Sequence, residues 1–293
     1  MATTLLKGTA YITGGASDTH TPPGIGRATA FGLARHGIQR LALTDISQEN
    51  LSATSSALKS RFPDVEIEAI QLDVRDVKAV DDSMVQAVKR FGRIDVAVNV
   101  AGIVGAGKTT DASEEADWTG VLDVNLNGVW RCQRAQVRAM MKQEFEGERS
   151  FKCEDGVVKV LILYGGRNLG IREGRGSIIN VSSMYGLIAA PAYIPATPYT
   201  SSKHGVIGLT RSDAITYAPH GIRINAICPG YVRTPLLHAA VIAGSMDPEI
   251  AKTPMGRLAE VEEIADTIAF MASPMASFMA GSALLVDGGY SAN

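Results

Sequence analysis

The sequence predicts an α/β protein: a doubly wound, parallel sheet of about seven strands with helices on both faces. Strand-like and helix-like segments alternate from the first residues, which is the pattern of a parallel sheet covered by crossover helices. A glycine-rich turn stands between the first strand and the first helix, where such sheets meet their ligands. No repeat, low-complexity tract or linker breaks the 293 residues, so residues 1–293 read as a single domain.

Each element has its own signal. Residues 8–13 read as the first strand and 25–36 as an amphipathic helix stopped by Gly37. Residues 40–44 form a second strand leading into a helix over 48–61. Residues 65–72 alternate, with Val65, Ile67, Ala69 and Gln71 on one face, as a third strand does. A helix over 77–91 ends at Gly92, and 94–99 is a short buried strand. A long helix follows over 114–142; 177–181, 223–228 and 284–286 complete the sheet, with helices over 199–217 and 260–271.

Composition narrows the class. The chain is 46% hydrophobic and 20% charged, with mean hydropathy +0.08, as in ordinary globular proteins. A net charge of −2 gives no electrostatic case for nucleic acid or an anionic membrane. No apolar run approaches the ~20 residues of a membrane span, and the first residues lack the apolar segment of a signal peptide. Cys132, Cys153 and Cys228 are odd in number and widely spaced, which fits buried thiols in a reducing, cytoplasmic setting. No His, Cys or carboxylate cluster has metal-ligand spacing, so no metal is expected.

Two constellations carry chemistry. After the first strand come Gly14, Gly15 and Ser17, then Gly24-Ile25-Gly26 at the start of a helix. Such glycines let the backbone approach a pyrophosphate, and the helix N-terminus favours the anion. Asp45 ends the second strand nineteen residues after Gly26, close to the ~20 expected of an acid that hydrogen-bonds an adenosine ribose. A carboxylate there repels a 2′-phosphate, so NAD is expected over NADP. The other constellation is Tyr199 and Lys203, one turn apart on a helix and thus on one face. A nearby ammonium lowers a tyrosine pKa, and a drop of about three units needs roughly 4 kcal/mol. Such a tyrosine moves a proton beside a carbinol or carbonyl.

With both constellations in place, the chain resembles the short-chain dehydrogenase/reductase family in its single-domain, Rossmann-type form, from about Leu5 to the C-terminus. Asp73-Val74 looks like the pair that receives the adenine ring. Asn99-Val100-Ala101-Gly102 corresponds to an Asn-Asn-Ala-Gly signature with valine at the second position, Asn99 bracing the sheet. Asn125 matches an asparagine that holds a water in a proton relay, and Ser183, the second serine of Asn180-Val181-Ser182-Ser183, matches the catalytic serine. Pro229-Gly230, with Val232 and Thr234, resembles the loop that meets the nicotinamide carboxamide, and Val286-Asp287-Gly288-Gly289 is a typical ending.

The resemblance implies hydride transfer between nicotinamide and a secondary alcohol or ketone. Tyr199 would be the acid/base, Ser183 the donor to the substrate oxygen, Lys203 the group that lowers the tyrosine and holds the nicotinamide ribose, and Asn125 the water holder. It also implies a homodimer or homotetramer paired through the long helix and the catalytic helix. Two rivals use the same scaffold: a non-redox isomerase or cyclase, and a cofactor-binding protein without turnover. His204, Trp118 and Trp130 read as surface or packing residues.

Three stretches depart from the family pattern. Residues 18–23 lengthen the glycine turn, so His20 or Thr21 reaches toward the cofactor. Residues 190–198 are proline-rich, unsuited to regular helix, and offer Tyr193 as a substrate contact. Residues 145–176 form a long insertion at the N-terminal ends of the strands. Its strand-like segment 157–164 is expected to pair with a sheet edge or pack at a subunit contact. Residues 234–255 read as a lid with an apolar inner face from Leu236, Leu237, Val241, Ile242 and Met246. That face points to a mainly hydrophobic substrate, and the enlarged loops to a secondary-metabolic role.

Overall fold

Successive strand residues face opposite sides of the sheet, and both sides are buried, which builds the layers. In strand β1 (Thr9–Thr13), Ala10 and Ile12 join one core and Tyr11 the other. Strands β4 (Val96–Asn99) and β7 (Gly176–Val181) do the same: Val96, Val98, Ile179 and Val181 on one side, Ala97 and Ile178 on the other. Helices α1 (Ile25–Arg35) and α9 (Val261–Ala272) cover the first core through Leu33, Ile264 and Ile268. Helices α3 (Val77–Phe91), α5 (Val129–Met140) and α6 (Thr197–Tyr217) cover the second through Met84, Phe91, Cys132, Met140 and Ala214.

The computed structural model describes residues 5–17, 22–143, 151–153, 156–158 and 174–292. With β2 (Arg40–Asp45), β3 (Glu66–Gln71), β8 (Ile222–Pro229) and β9 (Ala283–Val286), the main sheet has seven strands in the order β3-β2-β1-β4-β7-β8-β9. Every neighbouring pair is parallel. The order reverses between β1 and β4, which opens a crevice at the carboxyl ends of those strands. Helix α2 (Gln48–Arg61) follows β2 and is capped by Ser47, whose hydroxyl accepts from Asn50 N–H at 3.2 Å. Among the described residues, no helix is long and apolar enough to cross a membrane.

Several sequence expectations need correction. Gln71 is exposed rather than part of a buried face of β3. The long helix is three pieces: α4 (Glu115–Leu122), a π-helical turn (Asp123–Gly128) and α5. The widened turn carries Asn125, whose amide is tied to backbone outside the helix, and such single π-turns accommodate a side chain held from elsewhere. Helix α6 begins inside the proline-rich stretch, at Thr197, because Pro198 falls in the first turn, where its missing N–H costs nothing.

Of the segment 157–164, residues 159–164 lie outside the described residues. The described part pairs within the insertion instead of adding to the main sheet: β6 (Gly156–Val158) runs antiparallel to β5 (Phe151–Cys153). The insertion's flanks meet at the N-terminal ends of the strands. There Gln143 accepts from Ile94 N–H at 2.7 Å and donates to the Arg175 carbonyl at 2.7 Å.

Candidate active site

Two groups of side chains sit at the carboxyl ends of the strands. The glycine turn forms the first. Gly14 has φ 60°, and a Cβ on Gly26 would lie 1.8 Å from the Gly14 carbonyl oxygen, so only glycine permits this approach of helix to turn. Ser17 Oγ accepts from Gly24 N–H at 3.0 Å and fixes the mouth of α1. Asp45 closes the turn from β2, accepting from Ala16 N–H at 3.2 Å and Ser47 N–H at 3.0 Å. Burial raises its carboxyl above the ordinary value, and those N–H groups oppose the rise. Asn99 ends β4 and Ala101 and Gly102 follow it, and the Thr13 hydroxyl accepts from Val100 N–H at 3.2 Å and Ala101 N–H at 3.4 Å. Added Cβ atoms at Gly14 and Gly26 would collide with neighbouring backbone, so the turn stays bare and tightly folded, which fits a pyrophosphate-bearing dinucleotide. His20 and Thr21 lie outside the described residues.

The second group lines a cavity of about 640 Å³. Ser183, Tyr199 and Lys203 share its wall with Ile25, Gly102, Pro229, Gly230, Val232 and Thr234. Ser183 caps a short turn after β7, and its hydroxyl oxygen accepts from Tyr185 N–H at 3.1 Å. Its hydroxyl also stands close enough to Tyr199 to favour the phenolate form. Lys203 is 4% exposed and donates to the Val181 carbonyl at 2.9 Å, with its ammonium 5.5 Å from the Tyr199 ring centre. Ser182 locks this stretch of α6 by donating to the Lys203 carbonyl at 2.9 Å.

The electrostatics differ from the expectation that Lys203 lowers the tyrosine. Burial pushes the Tyr199 phenol above its ordinary value, and the Ser183 hydrogen bond only partly opposes this. Burial also brings Lys203 down, to about 8. The desolvation that isolates both groups penalises the charged form of each, and the lysine's hydrogen bond goes to a backbone carbonyl.

Asn125, the expected water holder, packs against the cavity-lining Gly102. It is fully buried, accepts from Ile103 N–H at 2.8 Å and donates to the Ile103 carbonyl at 2.8 Å and Ser202 Oγ at 3.2 Å. Its amide braces the cavity-lining backbone at Gly102 and Ile103 against α6. Asn99 braces the sheet as expected, donating to Asn180 at 2.8 Å and Gln136 at 3.0 Å. Asn180 passes the network to Gln133 at 2.7 Å and Thr210 at 2.9 Å, joining β4, β7, α5 and α6. Asp73 is held by Arg75, whose guanidinium lowers its carboxyl, and Val74 is buried against Gly128.

Sequence reasoning missed Glu249, Tyr185, Tyr231 and Tyr290. Glu249, on helix α8 (Asp247–Lys252) of the lid region, is 1% exposed and accepts from Tyr231 Oη at 2.9 Å and Tyr290 Oη at 2.5 Å. Tyr193, proposed as a substrate contact, also donates to Glu249 while lining the cavity. The flanking positions were a usable signal: Tyr185 stands two residues after Ser183, and Tyr231 directly after Pro229-Gly230.

Comparison with known proteins agrees with the fold. Residues 8–148 match the family model described as short chain dehydrogenase, and 166–291 match a model described as Enoyl-(Acyl carrier protein) reductase. The chain is 37% identical over 289 residues to the short-chain dehydrogenase anuF of Penicillium roqueforti, covering 97% of this chain and 96% of that protein. It is 35% identical to a cis-4-hydroxycyclohexanecarboxylate dehydrogenase of Sinomonas cyclohexanicum, covering 97% and 96% of the two chains. A crystal structure of levodione reductase superposes with TM-score 0.79 at 32% identity, covering 97% of this chain and 98% of that one.

Proposed function

The chain belongs to the short-chain dehydrogenase/reductase family, and from that premise we propose an NAD(P)-dependent oxidoreductase that interconverts a secondary alcohol and a ketone on a mainly hydrophobic small molecule. The observation that carries this reading is the trio Ser183, Tyr199 and Lys203 on the wall of one cavity. Ile103, Val104, Leu236, Leu237 and Met246 give that cavity an apolar lining, suited to a substrate whose oxygen is its main polar group. Relatives named levodione reductase and cis-4-hydroxycyclohexanecarboxylate dehydrogenase support the substrate class.

A nicotinamide dinucleotide bound along the glycine turn supplies the hydride acceptor or donor. Gly14, Ser17, Gly24, Ile25 and Gly26 would hold its pyrophosphate, Asp45 its adenosine ribose, Asp73-Val74 its adenine, and Pro229, Gly230, Val232 and Thr234 its nicotinamide. Tyr199, kept protonated by burial, gives its hydroxyl proton to the carbonyl oxygen in the reduction direction. Ser183, its oxygen already accepting from Tyr185 N–H, donates to the same substrate oxygen and stabilises the charge that develops there. Lys203 stands behind the tyrosine, where its ammonium replaces some of the phenol's lost solvation as the proton leaves. Asn125 keeps Gly102 and Ile103 in place as a positioning residue.

Asp45 supports NAD over NADP, since its carboxylate closes the turn where a 2′-phosphate would sit. Thermal unfolding with each cofactor tests this: NAD is expected to stabilise more than NADP, with the order reversed in Asp45→Ser. Equal stabilisation by both in the wild type contradicts the assignment. Trp130 on α5 and Ile215 on α6 are 46% and 79% exposed, which supports a dimer or tetramer paired through those helices. Sedimentation as a monomer at micromolar concentration counts against it.

A further inference from the structure

Tyr185, Tyr193 and Tyr231 also line the cavity, and the buried Glu249 behind them gives their hydrogen bonds one direction. Glu249 is 1% exposed, and donors reach both of its oxygens. Oε2 accepts from Tyr231 at 2.9 Å and Tyr290 at 2.5 Å; Oε1 accepts from Lys252 at 3.0 Å and from Tyr193. A carboxylate only accepts, so the single hydroxyl proton of Tyr231 is committed to Glu249. Tyr231 Oη also lies 2.5 Å from Tyr185 Oη. Tyr231 has no second proton to give, so Tyr185 donates that bond. What remains on the Tyr185 oxygen is lone-pair capacity.

Tyr185 and Tyr231 both line the cavity that holds Ser183 and Tyr199. The rings are locked edge to face, Tyr185 against Tyr231 at 6.2 Å and Tyr231 against Tyr290 at 5.5 Å. A buried carboxylate costs several kcal/mol in desolvation unless it is fully hydrogen-bonded, and an apolar core at this place would need none of it. We propose that Tyr185 and Tyr231, oriented by Glu249, form a second recognition subsite that accepts a hydrogen bond from a hydroxyl on the substrate. The preferred substrate class is then a hydroxylated cyclic ketone, or the diol derived from it. One end is met by donors at Ser183 and Tyr199, the other by an acceptor at Tyr185. Glu249 acts as a positioning residue, setting which way the phenol chain points. This inference rests on the oxidoreductase reading for its reacting end.

The test uses a series of hydroxytetralones with the hydroxyl at different ring positions, their methyl ethers and the parent tetralone, with full-length protein and NADH. For at least one positional isomer, the wild type is expected to favour the hydroxyl compound over its methyl ether by about tenfold in kcat/KM, the worth of one hydrogen bond. Tyr185→Phe keeps the ring and should bring that ratio to within about twofold. In Glu249→Gln, Lys252 can only donate and so holds the amide oxygen, turning the amide N–H groups toward Tyr231 and Tyr290. The phenol chain reverses, Tyr185 becomes a donor to the cavity, and the methyl ether should gain relative to parent tetralone. A merely structural role for Glu249 would lower all rates together and leave the ratios unmoved. Thermal shift with the same compounds and bound NAD reads binding separately. Tighter binding of a hydroxytetralone without turnover contradicts the oxidoreductase reading and upholds the subsite. Equal rates and equal binding for every hydroxyl and methoxy pair overturn the subsite.

Discussion

Two walls of one cavity are built in different ways. The wall with Ser183, Tyr199 and Lys203 comes from one strand end and the helix that follows it, and its side chains are anchored on backbone: Ser183 by Tyr185 N–H, Lys203 by the Val181 carbonyl. The wall with Tyr185, Tyr193 and Tyr231 is drawn from a turn and two loops, with Glu249 of the lid and Tyr290 behind it. There, side chains are held by other side chains. Backbone anchoring gives the fixed geometry that proton transfer needs. Side-chain anchoring gives a surface that can change by substitution without disturbing the chemistry.

Breaking the first wall should therefore cost rate, and breaking the second should cost discrimination or stability. The largest effect is expected for Tyr199→Phe: kcat falls by about 10²–10⁴-fold while cofactor-induced thermal stabilisation stays close to wild type. A variant with near-normal rate would remove Tyr199 from the chemistry. Ser183→Ala is next, at about 10²–10³-fold in kcat for loss of one donor to the developing charge, with the order of preferred substrates kept. A reordering of substrates by Ser183→Ala would blur the division between the walls.

Tyr290→Phe probes the second wall from behind, because Tyr290 does not line the cavity. Removing its hydroxyl takes one donor from buried Glu249 and should cost about 1.5–3 kcal/mol in folding free energy, read by urea unfolding, with turnover changed less than twofold. An unaltered unfolding midpoint would mean that the carboxylate does not need that donor.

A pH-dependent effect on stability concerns Lys203. Burial holds it at about 8 against an ordinary 10.5, so between those values the unfolded chain binds more protons than the folded one. Stability from this group therefore rises with pH across that window and is lost as pH falls through about 8. Relative to Lys203→Met, the wild type should gain stability from pH 8 toward 10.5; a pH-independent difference would contradict the burial argument.

The first wall and the glycine turn were legible in the sequence because both are local. A strand, a turn of glycines and a helix lie within one short stretch, and Tyr199 and Lys203 are one helical turn apart. The second wall was not legible, because Tyr185, Tyr231, Glu249 and Tyr290 meet only after the lid and the C-terminus fold over the sheet. Glu249 on a short polar helix looks like any surface acid until its burial is known. The network of Asn99, Gln136, Asn180, Gln133 and Thr210 was half visible, through Asn99 alone, since its glutamines look like ordinary helix residues. The π-turn at Asn125 was not legible because the backbone that holds its amide, at Ile103, is distant in sequence. The electrostatic expectation failed for a general reason: residue spacing reveals proximity but not desolvation, and here desolvation decides both pKa directions.

The central claim is hydride transfer at the Tyr199 wall, and isotope transfer tests it most directly. Wild type and Tyr199→Phe would be given NADH deuterated at C4 with a hydroxytetralone or tetralone, and the products weighed by mass spectrometry. The account expects alcohol from the wild type carrying one deuterium on the carbinol carbon, and essentially none from Tyr199→Phe. Product formed without deuterium, as an isomerase or cyclase would give, or equal labelled product from both proteins, would contradict it.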